Sequence, residues 1–485
     1  MRRAALVAAL ALATLLRAYP LAAPHLGLEL QEAYPRNAVL ALVHGDWRPF
    51  ALVHGSALLD VLRALYSAWY VLGTAAGVYH DRTDFLAAFI QTPLPFVIVG
   101  RVVLLLAALT AVWLAAGVAT RLGGSAAGPA AAIVLATSFI HVRESVHVWP
   151  DGLAATGALA TIAMALRALA EGTPATMLLL GALAGGALAC KHAVFLLAIP
   201  VLLVAWWSGA GGWLQRSRRA TSAGVAAACT YLLLSPHTLL HWQEMRLQLE
   251  IQSAGLLSSE GPRAALPFIQ LLHLCVGVGP LAVALLGLST SARRAPRATL
   301  LAASFPVLYL VFLASARNPF ARYLAIAAPF IAVFAGVGTV AAAERAWPRR
   351  PTLVLVPLLA LVCVGPGLQS WYHVRLLSRP DTRQLAGEWL QAHLPPAVSV
   401  SLPNLAVYPN PVLPPNEGRV RLDYPEQAGE LLARGVGRSS AARQVHYLGF
   451  LDIYDPTWEP ADPWIVTASH PAPARPRVQQ PGMRF

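Results

Sequence analysis

Lysine is almost absent from this chain. Of its 36 basic residues only Lys191 is a lysine, and the other 35 are arginines. Charge of either sign is scarce, at 12% of residues where a soluble domain carries roughly 25%. With 57% hydrophobic residues, that scarcity excludes an ordinary soluble protein of this length. Cysteine is also sparse. Cys190, Cys229, Cys275 and Cys363 all lie in apolar segments and form no CxxC pair. A disulfide framework and a cysteine zinc site are thereby excluded, and the four act as small packing residues. No internal repeat is found.

Long apolar runs recur from residue 4 to about residue 369, the pattern of a polytopic α-helical membrane protein. The runs predict about eleven spans, near 4–23, 95–119, 126–142, 152–170, 175–190, 193–208, 220–236, 266–289, 298–315, 322–343 and 352–369. The first follows Arg2 and Arg3 like a signal peptide. It ends in Arg17-Ala-Tyr-Pro, with no small-residue cleavage site, and reads as a retained span. The fifth and sixth are shorter than the roughly 20 residues a span usually needs. One long span through Lys191 is the rival, but it reverses the parity of every later loop.

The net charge of +13 raises the question of a nucleic-acid partner. Topology accounts for it instead. With a cytoplasmic N-terminus, the short inner connections hold thirteen arginines, among them Arg3, Arg121, Arg167 and the Arg216–Arg219 cluster, against Glu171 and Glu344. This positive-inside bias removes the case for nucleic acid. It also favours two short spans, which puts Lys191 on the outer face.

The same parity puts a first loop, 24–94, outside. Arg36 to Val43 and Ser56 to Val71 show helical spacing, and Leu58, Leu62, Leu65 and Trp69 share a face with Asp60 and Arg63 off it. Amphipathic helices in the interface fit this pattern, with Tyr66, Trp69 and Tyr70 in the headgroup belt. The expected organisation is a transmembrane domain over 1–369, a small soluble α/β domain over 370–468, and a proline-rich disordered tail over 469–485. In the soluble domain Asp381 to His393 reads as a helix with Asp381 as N-cap, and Val398 to Leu402 as a strand.

An ammonium flanked by hydrocarbon on both sides costs several kcal/mol unless it faces a polar cavity or an anion, so Lys191 points to a site. Glu32 and Asp151 are the candidate acids on the same face. After Pro150, a helix N-cap is the plain structural role for Asp151. Arg322 and Tyr323 open the tenth span. Arg322 either snorkels to the interface or clamps a phosphate with its bidentate fork. Arg143 and His147 lie near by topology, and Glu144 has Arg143 and His147 as ready neighbours. His44 and His54 sit in a near-repeat, Ala-Leu-Val-His-Gly, without metal-ligand spacing. A divalent metal is not indicated.

These pieces together resemble a bacterial GT-C glycosyltransferase of the group that contains the protein O-mannosyltransferases and the aminoarabinose transferase of lipid A. In order they are Gln31-Glu32-Ala-Tyr-Pro-Arg36, Gly100-Arg101, Pro150-Asp151, the Gly181 to Lys191 segment, Ser235-Pro236, Arg322-Tyr323 with Pro329, and Asp381 to Leu390. The likeness covers roughly residues 1–395. It implies a GT-C fold in the inner membrane, with the N-terminus cytoplasmic and the C-terminal domain periplasmic. It further implies sugar transfer from a polyprenyl-phosphate donor to a lipid, glycan or protein acceptor, with no resident cofactor. Glu32 is then the expected base and Asp151 orients the acceptor. Lys191, Arg322 and Arg143 bind the donor phosphate, and Tyr34, Arg36, His54, His147 and Tyr323 contact substrate. The family's first loop usually has Asp-Glu where this chain has Gln31-Glu32. That departure leaves a catalytically silent, lipid-binding relative as the alternative, with a lipid or sugar transporter as a more distant one.

Overall fold

The computed structural model describes residues 2–21, 33–45, 49, 52, 54–208, 212–257, 265–316, 320–394, 400–403, 417, 420–421, 424–437 and 445–448. The chain divides into two compact units, Met1–Arg379 and Pro380–Phe485.

The first unit is helical. It opens with α1 (Arg2–Ala18), and three helices of the first loop follow, α2 (Ala33–His44), α3 (Ala57–Ala75) and α4 (Arg82–Gln91). The two helices predicted in the first loop are therefore present, but their inward face differs from the predicted one. Leu58, Leu62 and Tyr66 are buried, whereas Leu65 is 41% exposed. Arg63, predicted off the face, is buried because Asp60 one turn earlier pairs with it at 3.0 Å. The aromatic residues pack inward as well. Trp69 stacks on Phe96 at 4.5 Å, and the Tyr66 hydroxyl donates to the Phe96 carbonyl at 2.6 Å. A phenol with a backbone acceptor in reach has no need of headgroup water.

The bundle continues with α5 (Leu94–Gly123), α6 (Ala127–Thr137), α7 (Phe139–Ser145), α8 (Pro150–Glu171), α9 (Pro174–Cys190), a 3-10 turn (His192–Leu197), α10 (Ala198–Trp207) and α11 (Trp213–Leu234). Then come α12 (His237–Leu240), α13 (Trp242–Leu257), α14 (Ala265–Val276), α15 (Val278–Arg294), α16 (Pro296–Ser315), a 3-10 turn (Ala321–Tyr323), α17 (Leu324–Ala346) and α18 (Pro351–Leu377). Among the described residues, five helices are long and apolar enough to cross a membrane, or six if a bent pair counts as one. Against the eleven spans that the apolar runs predict, three of the rest are shorter apolar helices and one is the bent pair, while α1 and α11 do not combine span length with sufficient hydropathy. The predicted span 266–289 bends by 97° at Gly277, whose φ of +89° suits only glycine. The predicted span 126–142 breaks at Ser138.

A helix broken inside an apolar bundle leaves carbonyls that water cannot reach. At the α6–α7 break, Arg17 of α1 donates to the carbonyls of Ala136 at 3.2 Å and Leu135 at 3.4 Å. Ser370 of α18 donates to that of Thr137 at 2.9 Å. The central element is α17, apolar on all sides and buried over all but its last few residues, with α5, α6, α8, α15, α16 and α18 packed round it.

Helix α9 lies against α8 on one side and α11 on the other. Its four-residue-spaced small residues let α11 come close. A Cβ on Gly181 would lie 2.0 Å from the Ala223 carbonyl oxygen, and one on Gly185 would lie 2.1 Å from that of Ala227. Such small-residue seams replace the hydrophobic drive that lipid cannot supply.

In the second unit, α19 (Thr382–His393) starts at Asp381, whose carboxylate accepts from the Arg383 amide at 2.8 Å. Strands β1 (Val400–Pro403) and β2 (Val445–Leu448) pair in parallel, and Ala428–Ala433 is a short helix. Residues 469–485 lie outside the described ones.

Gly185→Ala tests the α9–α11 seam. In an open helix position that change stabilises by roughly 1 kcal/mol, and here it is expected to destabilise by about 1–3 kcal/mol through overpacking. Gly224→Ala on α11, where a Cβ meets nothing within 4 Å, is the control. Thermal melting in detergent should fall for the first variant and hold or rise for the second.

Candidate active site

The site begins at the open end of the α8–α9 hairpin. Trp149 is extended, Pro150 takes the first helical position of α8, and Asp151 is the second residue. Asp151 is therefore not the N-cap that a plain structural role predicts. Its carboxylate, wholly buried, lies in the first turn, where the helix dipole favours an anion. On the return, α9 ends at Cys190 and Lys191 is extended before the 3-10 turn. Helix α9 has 17 residues against 22 in α8. At ~1.5 Å per residue, Lys191 leaves its helix about one turn below Asp151. A lysine side chain spans that difference.

Lys191 and Asp151 form a buried ion pair, Nζ donating to Oδ1, with Lys191 only 3% exposed. The same ammonium lies 4.5 Å from the centroid of the Tyr323 ring. The second carboxylate oxygen, Oδ2, has no hydrogen-bond partner among the described residues. A buried pair with an open oxygen contributes little to stability, since replacing such pairs with apolar side chains is often neutral or better. It is better suited to a role at a functional site.

Arg322 closes the site from the 3-10 turn before α17. Its guanidinium lies 4.7 Å from the Trp149 ring, 5.1 Å from Phe320 and 5.5 Å from Tyr323. The Trp149 ring is also met edge-on by Tyr34 at 5.4 Å and His54 at 5.6 Å. Burial, with Asp151 adding to it, raises the Tyr34 phenol well above its usual range, so it stays a hydrogen-bond donor. Burial first, and then the charges of Lys191 and Arg322, push the His54 imidazole down to about 3, so it is neutral. The His54 segment is tied to the far end of α11, where Ser56 donates from its hydroxyl to the Leu234 carbonyl at 2.7 Å and from its amide to Ser235 Oγ at 3.3 Å.

Arg143 is occupied by its neighbour Glu144 in an ion pair. Burial pushes the Glu144 carboxyl up to about 7, Asp151 adds to the rise, and Arg143 and Arg322 oppose it. His147 is buried with its ring 6.2 Å from that of His373 on α18. Arg36 is half-buried two residues beyond Tyr34, and the helical period turns it to another side of α2. Glu32 and Gln31 lie outside the described residues. Among the described residues no three His, Cys, Asp or Glu side chains converge as a metal site.

The predicted residues Asp151, Lys191, Arg322, Tyr323, Tyr34 and His54 thus form one cluster. Sequence reasoning missed Trp149, the ring that Tyr34, His54 and Arg322 share. An aromatic residue directly before a Pro-Asp helix start was the available signal. It also missed the His192–Tyr231 hydrogen bond of 2.9 Å just beyond Lys191.

Residues 97–239 match the family model described as dolichyl-phosphate-mannose-protein mannosyltransferase. No curated protein matches the chain in sequence. Among solved structures, it is similar to ArnT from Cupriavidus metallidurans bound to undecaprenyl phosphate. The TM-score is 0.54 at 16% identity, covering 82% of each chain. It is also similar to the Archaeoglobus fulgidus oligosaccharyltransferase in the apo form, with TM-score 0.51 and 13% identity over 90% of this chain and 69% of that one. The same archaeal enzyme, AglB, with an inhibitory peptide and a dolichol-phosphate gives TM-score 0.51 at 12% identity, over 90% of this chain and 68% of that one. In fold, this multi-pass membrane chain is thus similar to ArnT and to the archaeal oligosaccharyltransferase, and over residues 97–239 its sequence is similar to the mannosyltransferase family.

Proposed function

We propose that the chain is a glycosyltransferase that moves a sugar from a polyprenyl-phosphate donor to an acceptor at the outer face of a bacterial inner membrane. The observation that carries this is the Asp151–Lys191 pair with Arg322 beside it, cations and an acid converging where an anionic donor would meet its acceptor. The undecaprenyl phosphate and dolichol-phosphate of the similar structures support a lipid phosphate as the ligand. The arginine-rich short loops support the orientation, with residues 370–468 as an outer soluble domain.

The chemistry assigns the roles. Attack on the anomeric carbon needs a base to take the acceptor proton, and Glu32 is our candidate. The bond from that carbon to the phosphate oxygen breaks, and negative charge grows on the lipid phosphate. Cations aimed at it lower the barrier. Arg322 is the principal one, because Lys191 is balanced by Asp151 and Arg143 by Glu144. Lys191 then holds Asp151 in place to orient the acceptor through its open Oδ2. Tyr34, His54, His147 and Tyr323 are proposed to contact substrate, and Arg36, expected to do so from the sequence, is turned to another side of α2. Gln31 favours one second reading, a relative that binds the lipid phosphate without transferring sugar.

Radiolabelled polyprenyl-phosphate sugars presented to the purified chain separate the two. Loss of sugar from the lipid is expected with at least one donor. Glu32→Gln is expected to slow it by roughly 10²–10⁴-fold while donor binding stays within about twofold. No turnover with any donor, beside tight binding, would favour the silent relative. Arg322→Gln is expected to lower kcat/KM by about 10²-fold or more, and an unchanged value would remove Arg322 from the phosphate site.

Glu144 adds a pH signature. Its carboxyl is protonated below about 7, which leaves Arg143 unbalanced there and ionises against it above. The donor is a phosphodiester with no titration in this range. Donor affinity should therefore be higher at pH 6 than at pH 8, and Glu144→Gln should flatten the profile at the higher level. A slope that persists in that variant would assign the titration to another group.

A further inference from the structure

A cavity of about 750 Å³ opens at the other end of the bundle, between α1, α5, α6, α8 and α9. It lies well away from the Asp151–Lys191 pair. Arg167, on its rim, is about 24 Å along α8 from Asp151 at ~1.5 Å per residue. The volume falls in the range of roughly 300–1,000 Å³ that small-molecule sites occupy.

Its layout is ordered by depth. Trp113, Gly117 and Arg121 are spaced by four on α5 and form one stripe along the helix. Arg121 is nearest the helix end, Trp113 is about 12 Å deeper at ~1.5 Å per residue, and Gly117 lies between. A Cβ at Gly117 would meet nothing within 4 Å, so the space over it is open. Arg3 and Arg167 join Arg121 at the rim, and Leu114 and Leu179 line the wall with Trp113. Trp113 and Leu179 are 59% and 48% exposed, an apolar wall with no protein partner over much of its area. Rim charge is unbalanced. Arg167 pairs with Glu171 at 2.7 Å, Arg121 donates to the Ala163 carbonyl at 3.1 Å, and Arg3 has no ion-pair partner among the described residues.

We propose that this cavity seats one anionic glycerophospholipid from the leaflet opposite the Asp151–Lys191 pair. Its phosphate would lie among Arg3, Arg121 and Arg167, and an acyl chain would run over Gly117 against Trp113. Cations at the rim over an apolar wall match a charged headgroup over a hydrocarbon chain. Basic pockets between transmembrane helices are known to hold acidic lipid headgroups. A soluble anion would use the rim and leave the deep wall uncovered.

Native mass spectrometry of the full chain in detergent tests this, with phosphatidylglycerol and phosphatidylcholine of matched acyl chains. The wild type is expected to retain one phosphatidylglycerol at least about tenfold more tightly. Changing Arg3, Arg121 and Arg167 together to glutamine is expected to weaken that binding roughly a hundredfold, about fivefold per charge, with phosphatidylcholine little changed. Gly117→Leu fills the open floor without touching a charge and is expected to abolish the tight site. Equal retention of the two lipids by the wild type would overturn the proposal, whatever the variants do. Unchanged phosphatidylglycerol retention in Gly117→Leu would overturn it too, as would polyprenyl phosphate displacing phosphatidylglycerol one for one. No sugar donor enters the measurement, so its outcome is independent of the proposed transfer activity.

Discussion

The ion pair between Asp151 and Lys191 joins the start of α8 to the end of α9 across the mouth of the bundle. Either charge alone at such a depth would cost several kcal/mol, so each residue makes the other tenable. Removing one partner of a buried pair typically costs about 3–5 kcal/mol, because the survivor is left uncompensated. The hairpin lengths, the extended backbone at Lys191 and the close α9–α11 seam all bear on this meeting. The seam holds α9 in place, and the short length of α9 sets how far the ammonium must reach. Around the pair, Trp149 gives Arg322 and Tyr34 a common ring to pack on.

A second constraint runs through the unit. Its helices are broken at Ser138, at Lys191 and at Gly277. Non-helical backbone at membrane depth survives only where protein groups satisfy it. Arg17 and Ser370 do so at the first break, from helices far away in sequence. The Lys191 break is supported differently, by a 3-10 turn that restarts the helix at once. The Lys191 break brings its side chain to the start of α8.

The electrostatics of that end follow from local pairing. Arginines placed there by topology look equivalent in the sequence, but their surroundings are not. Arg143 is tied to the residue next to it, and Arg322 rests on aromatic faces with no carboxylate against it among the described residues. Positive charge on offer to a ligand is therefore concentrated at Arg322. At the opposite end, the rim of the α5 cavity repeats the pattern with exposed arginines over hydrocarbon.

Composition by itself determined the environment of the chain. Apolar runs of span length cannot be buried in a soluble core of this size, and arginine asymmetry between loops fixed a parity. That expected parity put Asp151, Lys191 and Arg322 on one face, and the structure brings the three together. The lone lysine was legible for the same reason, as a charge with no solvent around it. The tertiary structure alone decided which groups on that face touch. Asp151 accepts from Lys191 because two helices differ in length by about a turn, a difference that periodicity reads only to within several residues. Trp149 enters the site through packing against α2 and the turn before α17, contacts between segments far apart in the chain. The inward turn of Tyr66 was hidden likewise, since its partner Phe96 is identified only by the angle at which α3 meets α5, whereas Asp60 and Arg63, one turn apart on α3, form a local pair.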